Sequence, residues 1–508
     1  MSFFLSKTDY ILFRDCPKNV WFKIHKPDLY YASELSDFEK NIIETGNEVE
    51  LVARQLFPDG KLIEGRGIEA QRFTQNCILK QEHVLFQPAF SKDGFFAAAD
   101  VLRFEPETGG HSIFEVKATN KVDEKVHLYD LAFQVVLLRN MGIEIGKINL
   151  IHLDPEYVRV GGLNIHELFK IEDVTNEVNG LCDEVSTQMQ EALTYLTQET
   201  EPKGSCCCIY KGRSKHCTTF KHSNPHVPEY GIHDIARIGN SKKKLEELVD
   251  ISVFHLHEIP EEMELSEIQR NQVLAHVRDK VTKDELKIKK EINSLVFPLY
   301  FLDYETFPAA IPRFDGFTPY QQIPFQYSLH VLNAPNDEPA HHQFLFTGSG
   351  DPSADLAEAL RRDIGDVGSV IVWHKSFECD VNEKLGNRIS SAKSFLENVN
   401  DRVFDLEEIF KKQHYVHKGF MGSTSIKYVL PVLAPELSYS DLEIHEGGTA
   451  SQSWNKLTTG TLNDKEKEKI REDLLRYCER DTYAMYVIWK HLRDTCYRSE
   501  AIVEPVAS

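Results

Sequence analysis

The chain has 508 residues, 41% of them hydrophobic and 27% charged, with a formal net charge of −21. That length exceeds a usual single core and predicts two or three domains of an ordinary globular type. The charge argues against coating nucleic acid by bulk electrostatics, because phosphate affinity comes mainly from Lys and Arg, yet it leaves room for a local basic groove. No apolar run approaches the roughly 20 residues of a membrane span, and the start lacks a signal-peptide pattern. The expectation is a cytoplasmic protein with no membrane partner.

Residues 7–57 read as helical, with a break at Cys16-Pro17. Short strands follow at Phe95–Leu102 and Ser112–Lys117, separated by the turn-rich Pro106-Glu107-Thr108-Gly109-Gly110. A helix over about His127–Asn140 and a strand over Lys147–Leu153 complete an αββαβ series, which predicts a mixed sheet carrying helices. Residues 165–198 read as a further helix leading to Cys206, Cys207, Cys208 and Cys217.

The segment 223–292 reads as a helical connector. Within it, Ile232–Gly239 and the helix after Ser241 resemble a degenerate helix-hairpin-helix, a form that can offer backbone N–H groups to phosphate. A plain helical spacer is the alternative. A second α/β unit is expected over 293–495, with strands at Phe297–Leu302, Phe325–Leu332 and Val370–Trp373 and helices near 355–364, 405–412 and 464–493. The expected organisation is therefore an α/β multidomain chain: a first domain over 1–222, the connector, the second unit, and a tail over 496–508.

Two acidic sets stand out. In the first, Asp100 ends an apolar run, while Glu115 and Lys117 lie two apart on a strand and share a face. Phosphodiester hydrolysis needs a cation to polarise phosphate and activate water, and carboxylates are natural ligands for Mg²⁺ or Mn²⁺. A neighbouring lysine stabilises charge developing at the phosphate. A surface ion pair is the plain alternative. In the second set, Asp303 and Glu305 share a face of the strand Leu299–Thr306, and Tyr477 and Asp481 are four apart on a helix. Two like charges side by side are costly to bury without cations.

Asp100 with Glu115-Val116-Lys117, followed by the helix Asp130–Leu138, resembles the PD-(D/E)XK nuclease superfamily in its RecB and Cas4-like branch. That resemblance implies a restriction-endonuclease-like sheet and places Gln134 beside the site. It also puts Glu50 of Gly46-Asn47-Glu48-Val49-Glu50 where the branch carries a histidine ligand. Several members of the branch hold a 4Fe-4S cluster. By that likeness Cys16, Cys206, Cys208 and Cys217 are the cluster ligands, Cys207 competes with its neighbours, and zinc is the alternative metal. Cys77, Cys182, Cys379, Cys478 and Cys496 are scattered and read as structural.

Asp303-Tyr304-Glu305 with Tyr477-Cys478-Glu479-Arg480-Asp481 resembles the DEDD 3′–5′ exonucleases of the ribonuclease H-like fold. The implied ligands are Asp303, Glu305 and Asp481, with Tyr477 orienting the attacking water. The second motif of that family ends in Asp; here His374-Lys375-Ser376-Phe377-Glu378 offers Glu378, with Asp380 and Asp405 as runners-up. Asp303–Phe307, Pro319–Gln326, Gly422–Lys427 and Gly447–Ala450 together resemble the bacterial family DUF2779 over about 295–490. Tyr320, Gln321, Gln322 and Gln326 could meet a terminal nucleotide, or belong to a packed edge strand. Lys427 could reach phosphate or cap its helix.

The resulting expectation is a metal-dependent nuclease acting on nucleic acid, DNA favoured over RNA. Alternatives are a catalytically impaired nucleic-acid-binding scaffold and an RNA exonuclease with a zinc clasp.

Overall fold

A computed structural model describes residues 3–31, 37–437, 439 and 441–498. The chain is mixed α/β and divides into two compact units, Met1–His226 with Ala309–Gln321, and Val227–Pro308 with Gln322–Ser508. Residues of the expected connector group with the second unit from Val227 onward.

The first unit is built on a six-stranded mixed sheet. Its spatial order follows the chain: β1 (Lys61–Leu62), β2 (Val84–Phe86), β3 (Val101–Phe104), β4 (His111–Lys117), β5 (Ile145–Leu153) and β6 (Phe169–Asp173). β2, β3 and β4 pair antiparallel, β4 and β5 parallel, and β5 and β6 antiparallel. A long helix, α1 (Asp37–Ala53), precedes the sheet; α2 (His127–Asn140) links β4 to β5, and α3 (Thr175–Leu196) follows β6.

Alternation along β4 decides which residues face the core. Ile113 packs with Leu131 and Leu138 of α2, whereas Phe114 packs with Phe57 and Ile151 on the other face. Glu115 and Lys117 therefore share the α2 side. α2 is buried on nearly every side over Leu131–Leu138, and the polar Asp130 and Gln134 are confined to the face that meets β4. It ends where Gly142, at φ 83°, takes a backbone conformation that only glycine adopts cheaply.

The stretch expected to be one helix over 165–198 contains three elements: a short turn Ile165–Leu168, strand β6, and α3. Phe169-Lys170-Ile171-Glu172-Asp173 alternates too briefly to stand out, and its ladder with β5 makes it an edge strand. Of the two readings for 232–241, a degenerate helix-hairpin-helix or a plain spacer, the elements match the spacer. Ile232–Asp234 and Ile238–Asn240 are single 3₁₀ turns around Arg237 at φ 57°, and only Lys242–Asp250 is an α-helix.

The second unit holds a five-stranded sheet formed by β7 (Leu299–Pro308), β8 (Gln322–Leu332), β9 (Ala340–Leu345), β10 (Ser369–Val372) and β11 (Val403–Asp405). Its order is β9-β8-β7-β10-β11, antiparallel from β9 to β7 and parallel from β7 to β11. Helix α4 (Lys375–Arg388) follows β10, α5 (Gly447–Thr459) comes later, and α6 (Asp464–Arg498) closes the described chain. On β7, Leu302 and Tyr304 enter one core, while Phe301 on the opposite face meets Tyr486 and Trp489 of α6. Asp303 and Glu305 share that α6 side.

β8 is an interior strand rather than an edge. Gln326 is fully buried and donates to the Leu474 carbonyl at 2.8 Å, so it is not offered to a nucleotide, while the half-buried Gln322 accepts from Thr306 at 2.7 Å. Residues 499–508 of the expected tail lie outside the described residues. Among the described residues no helix is long and apolar enough to cross a membrane.

Candidate metal centres

The first acidic set forms one hydrogen-bonded cluster. From β4, Glu115 Oε1 receives Lys117 Nζ at 2.8 Å and Lys7 Nζ at 2.7 Å, and Glu115 Oε2 receives Gln134 Nε2 at 2.8 Å. Lys117 also reaches Asp130 Oδ2 at 2.5 Å; Asp130 and Gln134 are one turn apart on the α2 face that meets β4. Asp100 Oδ2 accepts the Val116 N–H at 2.8 Å. Gln87 bridges Asp100 Oδ1 (3.1 Å) and Glu50 Oε1 (2.6 Å), and Arg54 pairs with Glu50 at 2.7 Å. Glu50, Asp100, Glu115, Lys117 and Gln134 thus come together from α1, the β2–β4 region and α2.

Lys7, Gln87 and Asp130 complete the cluster and were not singled out from sequence. Asp130 carried a signal, its four-residue spacing from Gln134; Lys7 carried none, since only the tertiary fold brings it across. Beside the cluster a cleft of about 410 Å³ is lined by Lys7, Glu50, Arg54, Arg66, Gln87 and Asp100, among others.

Charge balance here is internal. Burial alone would raise the Glu115 carboxyl, but Lys117 and Lys7 outweigh it and hold it well below the usual carboxylate range. Burial likewise works against both ammonium groups, yet Glu115 and Asp130 raise Lys117, and Asp130 and Glu115 raise Lys7. Asp100 differs: burial, and then the Glu115 charge, push it up to about 7.

The second set gathers Asp303 and Glu305 of β7, Glu378 of α4, and Tyr477 and Asp481 of α6. None of the four carboxylates takes part in an ion pair among the described residues. Glu305, Glu378 and Asp481 are 6%, 3% and 9% exposed, and Glu378 Oε2 is buried with no hydrogen-bond partner among the described residues. Asp481 Oδ1 accepts a 2.5 Å hydrogen bond from Tyr439, and the Tyr477 hydroxyl is also directed to Asp481.

Every carboxyl in this set is shifted upward. Burial, then Asp481, Glu305 and Glu378, raise Asp303; burial and Asp481 raise Glu305. Glu378 is pushed to about 8 by burial, and Asp481 to about 6 by burial against the lowering effect of Tyr439. Lys427, 5.9 Å from the centre of the Tyr477 ring, faces the set and lowers Glu305 and Asp481, and Arg480 adds to the effect at Asp481. A Cβ on Gly447, the first residue of α5, would stand 3.9 Å from Glu305 Oε2, so the positive end of that helix also borders the set.

Cys478, read as structural, stands in this set, with its ligand atom and those of Asp303 and Glu305 all within 4.8 Å of one another. Burial holds its thiol well above the usual range, and it donates weakly to Asp303 Oδ2 at 3.7 Å. Of the runners-up for Glu378, Asp380 is turned away to Lys384 at 2.7 Å. Asp405 caps Lys375 N at 3.2 Å and adds to the upward shift of Glu378.

The cysteines at both ends of the first unit converge. Pro17 stops one helix and starts the next, leaving Cys16 in an extended link between them. The sulfurs of Cys16, Cys206, Cys208 and Cys217 all lie within 4.8 Å of one another, with Cys16–Cys217 at 3.7 Å and Cys206–Cys217 at 3.9 Å. Cys207 is exposed and donates to the Asp15 carbonyl at 3.3 Å, outside the quartet. Asn224 Nδ2 donates to Cys206 Sγ at 3.2 Å, the kind of contact that favours a thiolate.

Two mixed α/β units, each with a buried acidic cluster between a sheet and a helix, define the class of protein. Residues 300–425 match the family model described as "Domain of unknown function (DUF2779)", in agreement with the motifs at Asp303–Phe307 and Pro319–Gln326. That segment, which carries Asp303, Glu305 and Glu378, is a DUF2779 domain; Tyr477 and Asp481 lie beyond the matched residues. The chain is also 25% identical over 232 residues to "Uncharacterized protein MG366" of Mycoplasma genitalium, covering 42% of this chain and 35% of that protein. It is 25% identical over 211 residues to the "Uncharacterized protein MG366 homolog" of Mycoplasma pneumoniae, covering 38% of this chain and 32% of that protein. The chain spans about a third of the length of these curated relatives.

Proposed function

We propose that the chain is a metal-dependent nuclease whose principal centre is the Asp303, Glu305, Glu378 and Asp481 set, removing nucleotides from the 3′ end of a nucleic acid, with DNA as the favoured substrate. The observation that carries this reading is that no ion pair within the described residues neutralises that set, above all the orphaned Glu378 Oε2. Four converging carboxyls with no ion pair fit hard divalent cations, Mg²⁺ or Mn²⁺, far better than they fit a structural network. When bound there, such ions polarise the phosphate and activate water.

The chain's own groups perform the remaining tasks. The Tyr477 hydroxyl, beside Asp481, orients the attacking water. Lys427 and the α5 N-terminus offer positive potential to the phosphate. The five-stranded mixed sheet with α6 across the Asp303 face supports a ribonuclease H-like reading of this unit. For the first unit, the union of Glu50, Asp100, Glu115, Lys117 and Gln134 beside a cleft bearing Arg54 and Arg66 supports a restriction-endonuclease-like one, with DNA cleavage or trimming as its task.

The four-cysteine clasp suits a single tetrahedral ion. With Zn–S near 2.3 Å, the edge of the tetrahedron is about 3.8 Å, close to the separations of 3.7 and 3.9 Å. A 4Fe-4S cluster holds its thiolates outside four irons and farther apart. Zinc is therefore the reading we favour for the clasp, and elemental analysis with a visible spectrum after anaerobic purification decides between them.

The test of function is a panel of labelled single-stranded DNA, duplex DNA and RNA with Mg²⁺ or Mn²⁺. The unaltered chain is compared with Asp303→Ala and Asp100→Ala. Metal-dependent shortening from the 3′ end, lowered at least about a hundredfold by Asp303→Ala, is the expected result. If neither substitution lowers cleavage, the nuclease reading of these centres fails.

A further inference from the structure

At the β8–β9 edge of the second sheet, next to the carboxylate set, two histidines and a glutamate meet. His330 of β8 and His341 of β9 are directly paired across the antiparallel ladder, and their rings stack at 4.5 Å with 24° between planes. Glu479, on α6, brings Oε1 to 3.7 Å from His341 Nδ1. One ligand atom from each of the three lies within 4.8 Å of the others.

The surroundings fix which ring nitrogen each histidine can offer. Ser328 Oγ engages His341 Nε2 at 2.9 Å, and Thr482 Oγ1 engages His330 Nδ1 at 2.8 Å. The two hydroxyls also contact each other at 2.8 Å and are buried, so the network that orients both rings is rigid. This is the arrangement that metal-binding histidines need: one nitrogen held by a protein partner, the other left for the ion. His330 Nε2 and His341 Nδ1 are the nitrogens left.

We propose that His330 Nε2, His341 Nδ1 and the Glu479 carboxylate hold a borderline divalent transition ion of the zinc class, at a site separate from both acidic centres and from the cysteine clasp. Two imidazoles and one carboxylate are a zinc-type donor set, softer than the all-oxygen set at Asp303 and poorly suited to Mg²⁺. Glu479 is half exposed, which gives an ion a path in and leaves a fourth position to water. Because Glu479 belongs to the helix that carries Tyr477 and Asp481, the ion ties the β8–β9 edge to that helix. The inference does not rest on the nuclease reading.

The test uses the full-length protein in excess Mg²⁺, equilibrated at a buffered free Zn²⁺ concentration, with zinc per chain counted by elemental analysis. His341→Ala and Glu479→Gln are the variants; both alter side chains that are already partly exposed, and circular dichroism checks the fold. Each is expected to bind one zinc fewer than the unaltered chain. In the Co²⁺-loaded proteins each should lose the weak visible bands of a nitrogen–oxygen site while keeping the near-ultraviolet thiolate band of the clasp. Equal zinc counts in all three proteins at the same free Zn²⁺ would overturn the assignment.

Discussion

The two acidic centres solve the same electrostatic problem in opposite ways. In the first unit, Glu115 is neutralised by Lys7 and Lys117 and braced by Gln134, so its charge is satisfied by side chains already folded around it. In the second unit, Asp303, Glu305, Glu378 and Asp481 have no ion pair among the described residues, and burial first, then in part their mutual repulsion, raises their pKa values, with Lys427 offsetting only part of the rise at Glu305 and Asp481. A centre of the first kind is stable as it stands. A centre of the second kind is costly to fold until something positive arrives, which is the mark of a site kept for ligand rather than for stability.

The largest effect expected from this contrast is a division between activity and stability in the second centre. Asp481→Asn should lower Mg²⁺-dependent cleavage by at least about a hundredfold while raising the melting temperature of the metal-free protein, because one of four mutually repelling acids has gone. Loss of activity accompanied by a lower metal-free melting temperature would show that Asp481 serves mainly as a partner for Tyr439.

In the first centre the sign reverses. Lys117→Met removes one of two ammonium groups bonded to a glutamate that is 2% exposed. Breaking a buried pair from one side costs roughly 3–5 kcal/mol, so urea unfolding should show a marked loss of stability. A midpoint unchanged from the parent would mean that Lys7 alone neutralises Glu115. A smaller effect is expected at Tyr477. Tyr477→Phe should reduce turnover about tenfold, equivalent to about 1.4 kcal/mol, with Mg²⁺ affinity retained; if affinity falls in parallel with turnover, the hydroxyl supports the ligands and not the water.

How far such centres are legible in sequence depends on how local their geometry is. Asp303 with Glu305, Glu115 with Lys117, and Tyr477 with Asp481 are visible because strand and helix periods set which neighbours share a face. The four clasp cysteines could be gathered as candidates from resemblance, whereas their sulfur separations come from the fold. Lys7 was not legible: its role depends on a helix near the start being carried to a strand 108 residues further on. Cys478 and the His330–His341 pair were missed for a related reason: Cys478 meets Asp303 only when α6 lies across the sheet, and the histidines meet only when β9 pairs with β8. β6 and β9 were hidden as edge strands, where exposure blurs the alternation that reveals an interior strand such as β7.

The subtlest consequence of the contrast is its dependence on pH. For an acid whose folded pKa is raised, the unfolded chain releases its proton first, near pH 4. The folded chain holds that proton until about 6 at Asp481 and about 8 at Glu378. Between these limits the folded state binds more protons than the unfolded one, so stability falls as pH rises. In the first unit Glu115, with its lowered pKa, has the opposite sign and acts only in strong acid, whereas Asp100, raised to about 7, adds a smaller slope of the same sign below that pH. The metal-free protein should therefore melt at a lower temperature at pH 8 than at pH 5.5, and saturating Mg²⁺ should remove most of that slope by replacing protons with cations. Asp303→Asn should flatten the same slope without metal, whereas Lys117→Met should not; a slope that survives Asp303→Asn but disappears with Lys117→Met would assign the unbalanced charge to the first unit instead.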